Sequence, residues 1–380
     1  MILRLVLFLL LAFSTELISQ LSEDSELSLV TCRPGDELFN CWGHTAIWVH
    51  DKPRGIDDIY NYGIYSFEEP NFYLKFLQGK LLYLIGKQNP DRFLTNYAYQ
   101  NRSVFVQKLD LTLSQKNELS AALIKNYRPE NRKYLYDFFF DNCSTRPRDL
   151  FKKSVMGLTY PDEPETKLTF REMINQYTTD HPWADFGIDL IIGSKADKRA
   201  NVSQQMFLPE YLMHTLNKSS NGHKPLVKET VLALDFESKV DKRNKRPWFN
   251  PNLFFGILLL LELFNFIQSF RSKAYSKWLK IYDKIWYFIL GLSSFILLFM
   301  WFGTDHKVTK ANFNILWANP LFLMFTFSNK WIYKRAILLF LGLALLAACF
   351  FQEFHSSVLL IICITILKVL REIIVEPQKA

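Results

Sequence analysis

The C-terminal third of the chain is dominated by long apolar stretches, which constrain its fold more than any other feature. Each is close to the roughly 17 to 25 residues that an α-helix needs to cross a bilayer. Pro320 interrupts the third stretch and makes it the weakest. The region 249–371 therefore predicts an all-α bundle of about five transmembrane helices. The stretches are 251–270, 283–303, 312–328, 332–351 and 355–371.

Basic residues are unevenly distributed among the loops of this region. They cluster after the first and third stretches, whereas the loop after the second carries only Lys307 and Lys310 and the loop after the fourth has neither Lys nor Arg. By the positive-inside rule the basic loops are cytoplasmic, so the N-terminal part should lie outside the cytoplasm and the tail 372–380 inside. The net charge of +8 thus fits membrane orientation better than nucleic-acid binding.

The N-terminus resembles an export signal. Residues 1–20 carry Arg4 and then an apolar run over 5–13, which predicts a signal peptide. A retained N-terminal anchor is the alternative, because residues 18–20 do not form a clean small-x-small cleavage site. We then expect an exported domain over 21–200, with a helix and connector over 201–248 leading to the membrane.

The exported part alternates strand and helix patterns, which predicts an α+β domain. Two strands, 45–50 and 59–67, are joined by a turn-rich segment. Thr112 and Gln115 form a capping-type start to an amphipathic helix over 116–126.

Cys143 is the candidate nucleophile. It follows an aromatic run and precedes a predicted helix, for which Asp141 and Asn142 are good N-cap residues. A helix N-terminus and the nearby Arg146 and Arg148 should favour the thiolate. The alternative is an inert cysteine at an ordinary capped helix start.

His44 is the candidate base, at the start of a strand that leaves a glycine turn. A lone strand histidine is often structural, but together with Cys143 it suggests a catalytic pair. If the first two strands pair antiparallel, Asn61 or Tyr62 comes close enough to orient the imidazole. The register is open, because a slip of one residue exchanges the faces. Alternatively, Tyr62 packs in the core and Asn61 satisfies a turn.

The remaining cysteines predict little reactivity. Cys32 and Cys41 are close in sequence in an oxidising compartment, so a disulfide between them is an open alternative. Cys349 and Cys363 fall in apolar stretches and read as small buried hydrophobes. We find no zinc-type Cys/His cluster and no glycine-rich phosphate loop in the sequence, and we expect neither a metal nor a cofactor.

Several separated motifs resemble those of the Lnb-type bacterial lipoprotein N-acyltransferases, and the resemblance covers nearly the whole chain. In the exported part they are TCRPGDEL at 31–38, WGHTA at 42–46, YNYG at 60–63, FLQGKLLY at 76–83, NRSV at 101–104 and YDFFFDNCSTR at 136–146. In the apolar part they are WFGTDH at 301–306 and NFNILWANP at 312–320.

The resemblance implies that 21–200 is a periplasmic thiol-enzyme domain with a circularly permuted papain-like (NlpC-like) fold. This domain would be tethered to a multi-pass membrane bundle in the bacterial inner membrane. His44 would be the base and Cys143 the nucleophile. The acyl donor would be a phospholipid, and the acceptor the α-amino group of the lipidated N-terminal cysteine of a lipoprotein.

Asp305 and His306 fall on the same side of the membrane as Cys143 in the predicted topology. The pair is a candidate for binding a lipid head group or assisting proton transfer, and a solvated loop is the alternative.

Two other functions stay open. A membrane-tethered cysteine peptidase or cell-wall amidase would use the same pair of side chains but needs an open peptide groove. A non-catalytic envelope assembly protein would leave Cys143 unreactive.

Overall fold

The computed structural model describes residues 20–237, 247–328 and 330–375. The predicted signal segment therefore lies, apart from residue 20, outside the described residues. The same holds for residues 238–246 of the connector and for the tail from residue 376.

A seven-stranded sheet forms the centre of the soluble domain. Its order is β10-β5-β1-β2-β3-β4-β6, and every neighbouring pair is antiparallel, when the strands are numbered along the chain as follows. They are β1 (Glu26–Cys32), β2 (His44–Asp51), β3 (Ile56–Ile64), β4 (Leu82–Gln88), β5 (Val104–Leu109), β6 (Lys133–Leu135), β7 (Leu158–Thr159), β8 (Ser220–Asn221), β9 (Lys224–Pro225) and β10 (Val227–Leu234). The short strands β7, β8 and β9 form a second small sheet.

Helices cover both faces of the large sheet. They are α1 (Phe72–Gln78), α2 (Pro90–Tyr99), α3 (Leu113–Tyr127), α4 (Thr145–Ser154), α5 (Phe170–Asn175), α6 (Pro182–Ile191), α7 (Val202–Gln205) and α8 (Pro209–Asn217). One face carries Leu29 and packs against Leu119 of α3 and Phe151 of α4. The other face carries Val30 and packs against Phe93 of α2. Alternate residues of β1 thus enter two cores, as the period of a strand dictates.

The region predicted as a helix and connector belongs to the soluble domain. Its helix is two helices, α7 and α8, because Pro209 lacks the N–H that a continuous helix needs. Leu212 and Leu216 of α8 lie in the main core, and Val227–Leu234 pairs with β5 as an edge strand. The polar composition of 217–237 therefore marks a sheet edge rather than a linker.

The C-terminal region is helical. It contains α9 (Pro251–Ser272), α10 (Lys277–Phe302), α11 (Leu321–Phe327), α12 (Trp331–Phe350) and α13 (Ser357–Val375). Among the described residues, three helices, α9, α10 and α12, are long and apolar enough to cross a membrane. The described residues thus confirm a mixed α/β domain followed by apolar helices.

The third predicted span is wrong as a continuous helix. It consists of a 3-10 turn, Phe313–Leu316, and the short α11. Pro320 cannot continue a helical hydrogen-bond ladder, and Asn319 starts the new helix by accepting a hydrogen bond from Leu321 N at 3.1 Å. The irregular part over 312–320 is buried or half-buried, and Phe313 N donates a hydrogen bond to Gln352 Oε1 at 2.7 Å.

The carboxyl end of α6 anchors the soluble domain to the bundle. Asn312 and Asn314 donate side-chain N–H groups to the Leu190 carbonyl at 2.8 and 3.0 Å. Gln352 donates to the Ile192 carbonyl at 3.3 Å. These side chains satisfy the carbonyls that a helix end leaves unpaired, and so tie the two parts together.

Candidate active site

Cys143 lies immediately before α4, in a turn that Asn142 holds. Asn142 Oδ1 accepts hydrogen bonds from Ser144 N at 2.8 Å and Thr145 N at 2.9 Å. Its Nδ2 donates to the carbonyls of Phe138 at 2.6 Å and Phe207 at 2.9 Å. The N-cap residue of α4 is Ser144, so the prediction that Asp141 or Asn142 caps this helix is wrong. The Asn142 amide instead fixes the turn before the helix, and this turn positions Cys143.

His44 begins β2 directly after a tight turn. Gly43 has φ +82°, and a Cβ there would come 2.8 Å from the Cys32 carbonyl, so only glycine fits. His44 Nε2 lies 2.5 Å from Asn61 Oδ1. Because Oδ1 can only accept, Nε2 carries the proton and Nδ1 is left as the free base. Asn61 thus occupies the place of an orienting residue.

Sheet register distinguishes Asn61 from Tyr62. Ala46 pairs with Asn61, which puts Asn61 on the same sheet face as His44. Tyr62 faces the other core, where its hydroxyl accepts a hydrogen bond from Asn126 Nδ2 at 2.8 Å. Asn61 therefore lies beside the His44 imidazole, and Tyr62 lies in the core on the opposite face of the sheet.

Cys143 and His44 both lie close to Gly63. A Cβ placed on Gly63 would be 3.7 Å from Cys143 Cβ and 3.9 Å from His44 Cε1. A second link joins the strand to the helix start, since Thr45 Oγ1 and Ser144 Oγ share a hydrogen bond of 3.0 Å. The candidate base and nucleophile, 99 residues apart in sequence, are thus neighbours.

Both groups are neutral at pH 7. Burial raises the pKa of the Cys143 thiol above its ordinary 9.0, although hydrogen bonds from the Thr45 backbone and Ser144 oppose this effect. Burial lowers the pKa of His44 from 6.5 to about 4, against the opposing hydrogen bond to Asn61. A neutral thiol therefore faces a neutral imidazole.

The expected thiolate stabilisation by two arginines is wrong. Arg146 is engaged by Asp141, with Nε to Oδ1 at 2.6 Å, and stacks on Tyr134 with its Cζ 3.6 Å from the ring centre. Arg148 pairs with Asp149 at 2.8 Å. Their charges are neutralised locally, and Asp141 serves this ion pair.

A cavity of about 430 Å³ opens over the pair and is lined mostly by aromatic side chains. Tyr65, Phe67, Tyr83 and Tyr136 line it from the sheet side, and Phe138 and Phe207 from the loop before Cys143 and the loop before α8. Phe72, Tyr73 and Phe76 of α1 form a further wall. Such a lining suits an apolar ligand with one reactive polar group placed at Cys143.

Asp305 and His306 do not line this cavity themselves but contact α1, whose Phe76 does. Asp305 N donates to the Gln78 carbonyl at 2.9 Å, and His306 Nε2 lies 3.3 Å from the Phe76 carbonyl. The His306 ring packs on Gly79, where a Cβ would come within 3.2 Å of it. The pair therefore docks the carboxyl end of α1 onto the bundle.

The alternative of a disulfide between Cys32 and Cys41 is wrong, because both are free buried thiols. Cys32 packs in the core that contains Phe93, on the sheet face opposite the main core. Cys41 donates its S–H to the Leu38 carbonyl at 3.2 Å. Each thiol thus has its own local environment.

Three groups near the site had no role assigned from the sequence: Gly63, the Thr45 hydroxyl and Arg102. A glycine inside a strand pattern signals close approach, so Gly63 was detectable in principle. Arg102 is almost fully buried, donates to the Arg33 carbonyl at 2.7 Å, and places a positive charge near the thiol. Arg102 belongs to the NRSV motif, but the motif alone does not show that its side chain is buried near Cys143.

Two family models match the chain. The Lnb N-terminal periplasmic domain matches residues 19–176, and the Lnb transmembrane domain matches residues 242–380. No curated protein and no solved structure gives a significant match. Together the two family matches cover most of the chain in the order expected from its architecture. The chain therefore belongs to the Lnb family, whose members join a periplasmic N-terminal domain to a transmembrane C-terminal domain.

Proposed function

We propose that this protein is a membrane-bound cysteine acyltransferase. It moves an acyl chain from a phospholipid, through a thioester on Cys143, to the α-amino group of the lipidated N-terminal cysteine of lipoproteins. The single observation that carries the proposal is the juxtaposition of Cys143 with His44 in an aromatic cavity next to the membrane bundle. Membership of the Lnb family supports it.

The first half-reaction acylates the thiol. His44 Nδ1 takes the thiol proton as Sγ attacks the ester carbonyl carbon of the lipid. Backbone N–H groups of Thr45 and Cys143, which already point at the sulfur, stabilise the tetrahedral oxyanion. The ester C–O bond breaks, His44 returns the proton to the leaving hydroxyl, and a lysophospholipid departs.

The second half-reaction transfers the acyl group. The neutral acceptor amine attacks the thioester carbonyl, and His44 takes a proton from the attacking nitrogen. The C–S bond breaks, an amide forms, and the proton returns to Sγ. The aromatic lining limits access of water, which would otherwise hydrolyse the thioester.

The chain order and the helix charges support the finer architecture. A histidine on a strand precedes a cysteine at a helix start, as in a permuted papain-like domain. Five spans in the bacterial inner membrane would require the broken 313–327 segment and α13 to cross as well. The Lys368 and Arg371 charges of α13 are compensated by Glu262 and Asp283, which makes burial of that helix in a membrane feasible.

The decisive experiment measures the mass of a lipoprotein's N-terminal lipopeptide in cells with one variant as the only copy. We expect Cys143→Ala and His44→Ala to lose one amide-linked acyl chain. Cys349→Ala serves as the matched control and should leave the triacylated peptide unchanged. Its thiol lies on the outer face of α12, so the expectation that Cys349 is buried is wrong.

Protein amounts must be equal across the variants. A triacylated peptide in the Cys143→Ala strain would overturn the proposal. Altered peptidoglycan fragments in that strain would instead identify a cell-wall amidase, and altered processing of exported proteins a peptidase.

A further inference from the structure

An exposed apolar surface surrounds the mouth of the catalytic cavity. On α1, Tyr73 is 76 % exposed and Phe76 52 %, and Leu74 and Leu77 are about half exposed. Phe67, which packs on Phe72, is 68 % exposed. Phe39, which also lines the cavity, is 76 % exposed. Several large exposed apolar side chains around one cavity mark an interaction site rather than an ordinary water-facing surface.

The attachment of α1 to the bundle places this surface at the height of the membrane boundary. Its last carbonyls, those of Phe76 and Gln78, accept hydrogen bonds from His306 and Asp305. Asp305 follows the end of α10 by only three residues. Trp301 and Phe302 occupy that helix end, where aromatic residues concentrate at the bilayer interface.

The charges around α1 are compatible with contact to lipid. Lys75, its single charged residue, pairs with Glu69 at 2.6 Å. The helix thus presents tyrosine, leucine and phenylalanine side chains outward and neutralises its ammonium group locally. This composition is typical of short segments that lie in the headgroup and upper acyl region.

We propose that α1, together with Phe39 and Phe67, inserts into the extracytoplasmic leaflet, and that a lipid acyl chain passes between them into the cavity. Phe67, Tyr73 and Phe76 belong both to the exposed surface and to the cavity lining, so one continuous apolar path joins the leaflet to Cys143. The insertion of α1 does not depend on the proposed function, whereas the passage of the acyl chain rests on the proposed acyl transfer.

Photo-crosslinking tests the insertion without relying on activity. The full-length protein carries p-benzoylphenylalanine at position 77 and is reconstituted in vesicles of phosphatidylethanolamine and phosphatidylglycerol. Position 156 is the control, because Met156 is 86 % exposed and follows the far end of α4, about 15 Å along the helix from Cys143. After irradiation, mass spectrometry should find phospholipid adducts at position 77 at least tenfold above those at position 156.

Two outcomes would overturn the insertion. One is an equal adduct yield at both positions, and the other is crosslinking of position 77 to a second protein chain instead of lipid.

The acyl path is tested with the double variant Leu74→Ser/Leu77→Ser. We expect acylation of Cys143 by vesicle phospholipid to fall at least tenfold, while acylation by a water-soluble activated ester of a four-carbon acid stays within twofold. Equal loss with both donors, or loss with neither, would overturn the path. If the proposed acyl transfer itself is wrong, the wild type forms no phospholipid-derived thioester, although the adducts at position 77 still appear.

Discussion

At the scale of single residues, the protonation of Cys143 and His44 determines the pH dependence of the site. Burial raises the thiol pKa and lowers the pKa of His44 to about 4, so no thiolate–imidazolium pair forms between pH 5 and 8. We predict that alkylation of Cys143 by iodoacetamide rises continuously with pH through 9. Mass spectrometry of the Cys143 peptide measures the rate separately from the other cysteines.

A thiolate that is already formed would give a different profile. Alkylation would then reach a plateau between pH 5 and 8, and that result would contradict a neutral pair. A short synthetic cysteine peptide in the same samples serves as the internal control, because its thiol is not buried.

Asn61 orients the His44 imidazole through its hydrogen bond to Nε2. Asn61→Ala removes the acceptor that holds Nε2–H, and we predict a fall in Cys143 acylation of roughly 10- to 100-fold. Asn61→Asp places a carboxylate there, which favours the imidazolium and raises the pKa of His44. Because only neutral His44 acts as base, the acidic limb of the pH–rate profile should move to higher pH.

Asn126→Ala is the matched control for these variants, since it deletes a hydrogen bond of similar length on the opposite sheet face. A profile for Asn61→Asp that coincides with wild type would show that Asn61 does not act on the imidazole.

At the scale of elements, the start of α4 depends on one buried amide. Asn142→Ala loses two hydrogen bonds to backbone N–H groups and leaves two buried carbonyls without their donor. We predict a destabilisation of about 2 to 4 kcal/mol. Asn201→Ala removes an exposed cap of α7 and should cost about 0.5 to 1 kcal/mol.

Thermal unfolding of the full chain in detergent compares the two variants. Equal shifts in melting temperature would mean that the Asn142 network contributes no more than an ordinary surface cap.

At the scale of the whole molecule, a buried charge cluster joins three helices of the bundle. Lys368 Nζ lies 2.7 Å from Glu262 and 2.8 Å from Asp283, and Arg371 contacts the same two carboxylates. All four side chains are fully buried. We predict that Lys368→Met costs about 3 to 5 kcal/mol, because it leaves an uncompensated buried carboxylate.

The double variant Glu262→Gln/Lys368→Met removes one charge of each sign and should recover much of that loss. Thermal aggregation in detergent compares the stability of the wild type, Lys368→Met and the double variant. If the double variant is no more stable than Lys368→Met, charge balance is not what the cluster provides.

Local sequence properties determined where the apolar helices, the candidate site residues and the helix caps of this protein lie. Hydropathy located the apolar helices, because membrane burial requires long apolar runs whatever their partners. The motifs identified Cys143 and His44, and the Thr112–Gln115 capping box formed as predicted, since its partners lie three residues apart. Each of these signals is contained in one short segment.

Tertiary structure decided what depends on distant partners. Strand register selected Asn61 over Tyr62, because two residues adjacent in a strand face opposite sides of the sheet. Burial of charged residues was also decided by distant partners: Lys334 is buried and paired with Glu372, and Arg371 is buried and paired with Glu262 and Asp283. The pKa shifts of Cys143 and His44 follow from burial, which no local pattern records. Pairing, register and desolvation arise only when segments far apart in sequence meet.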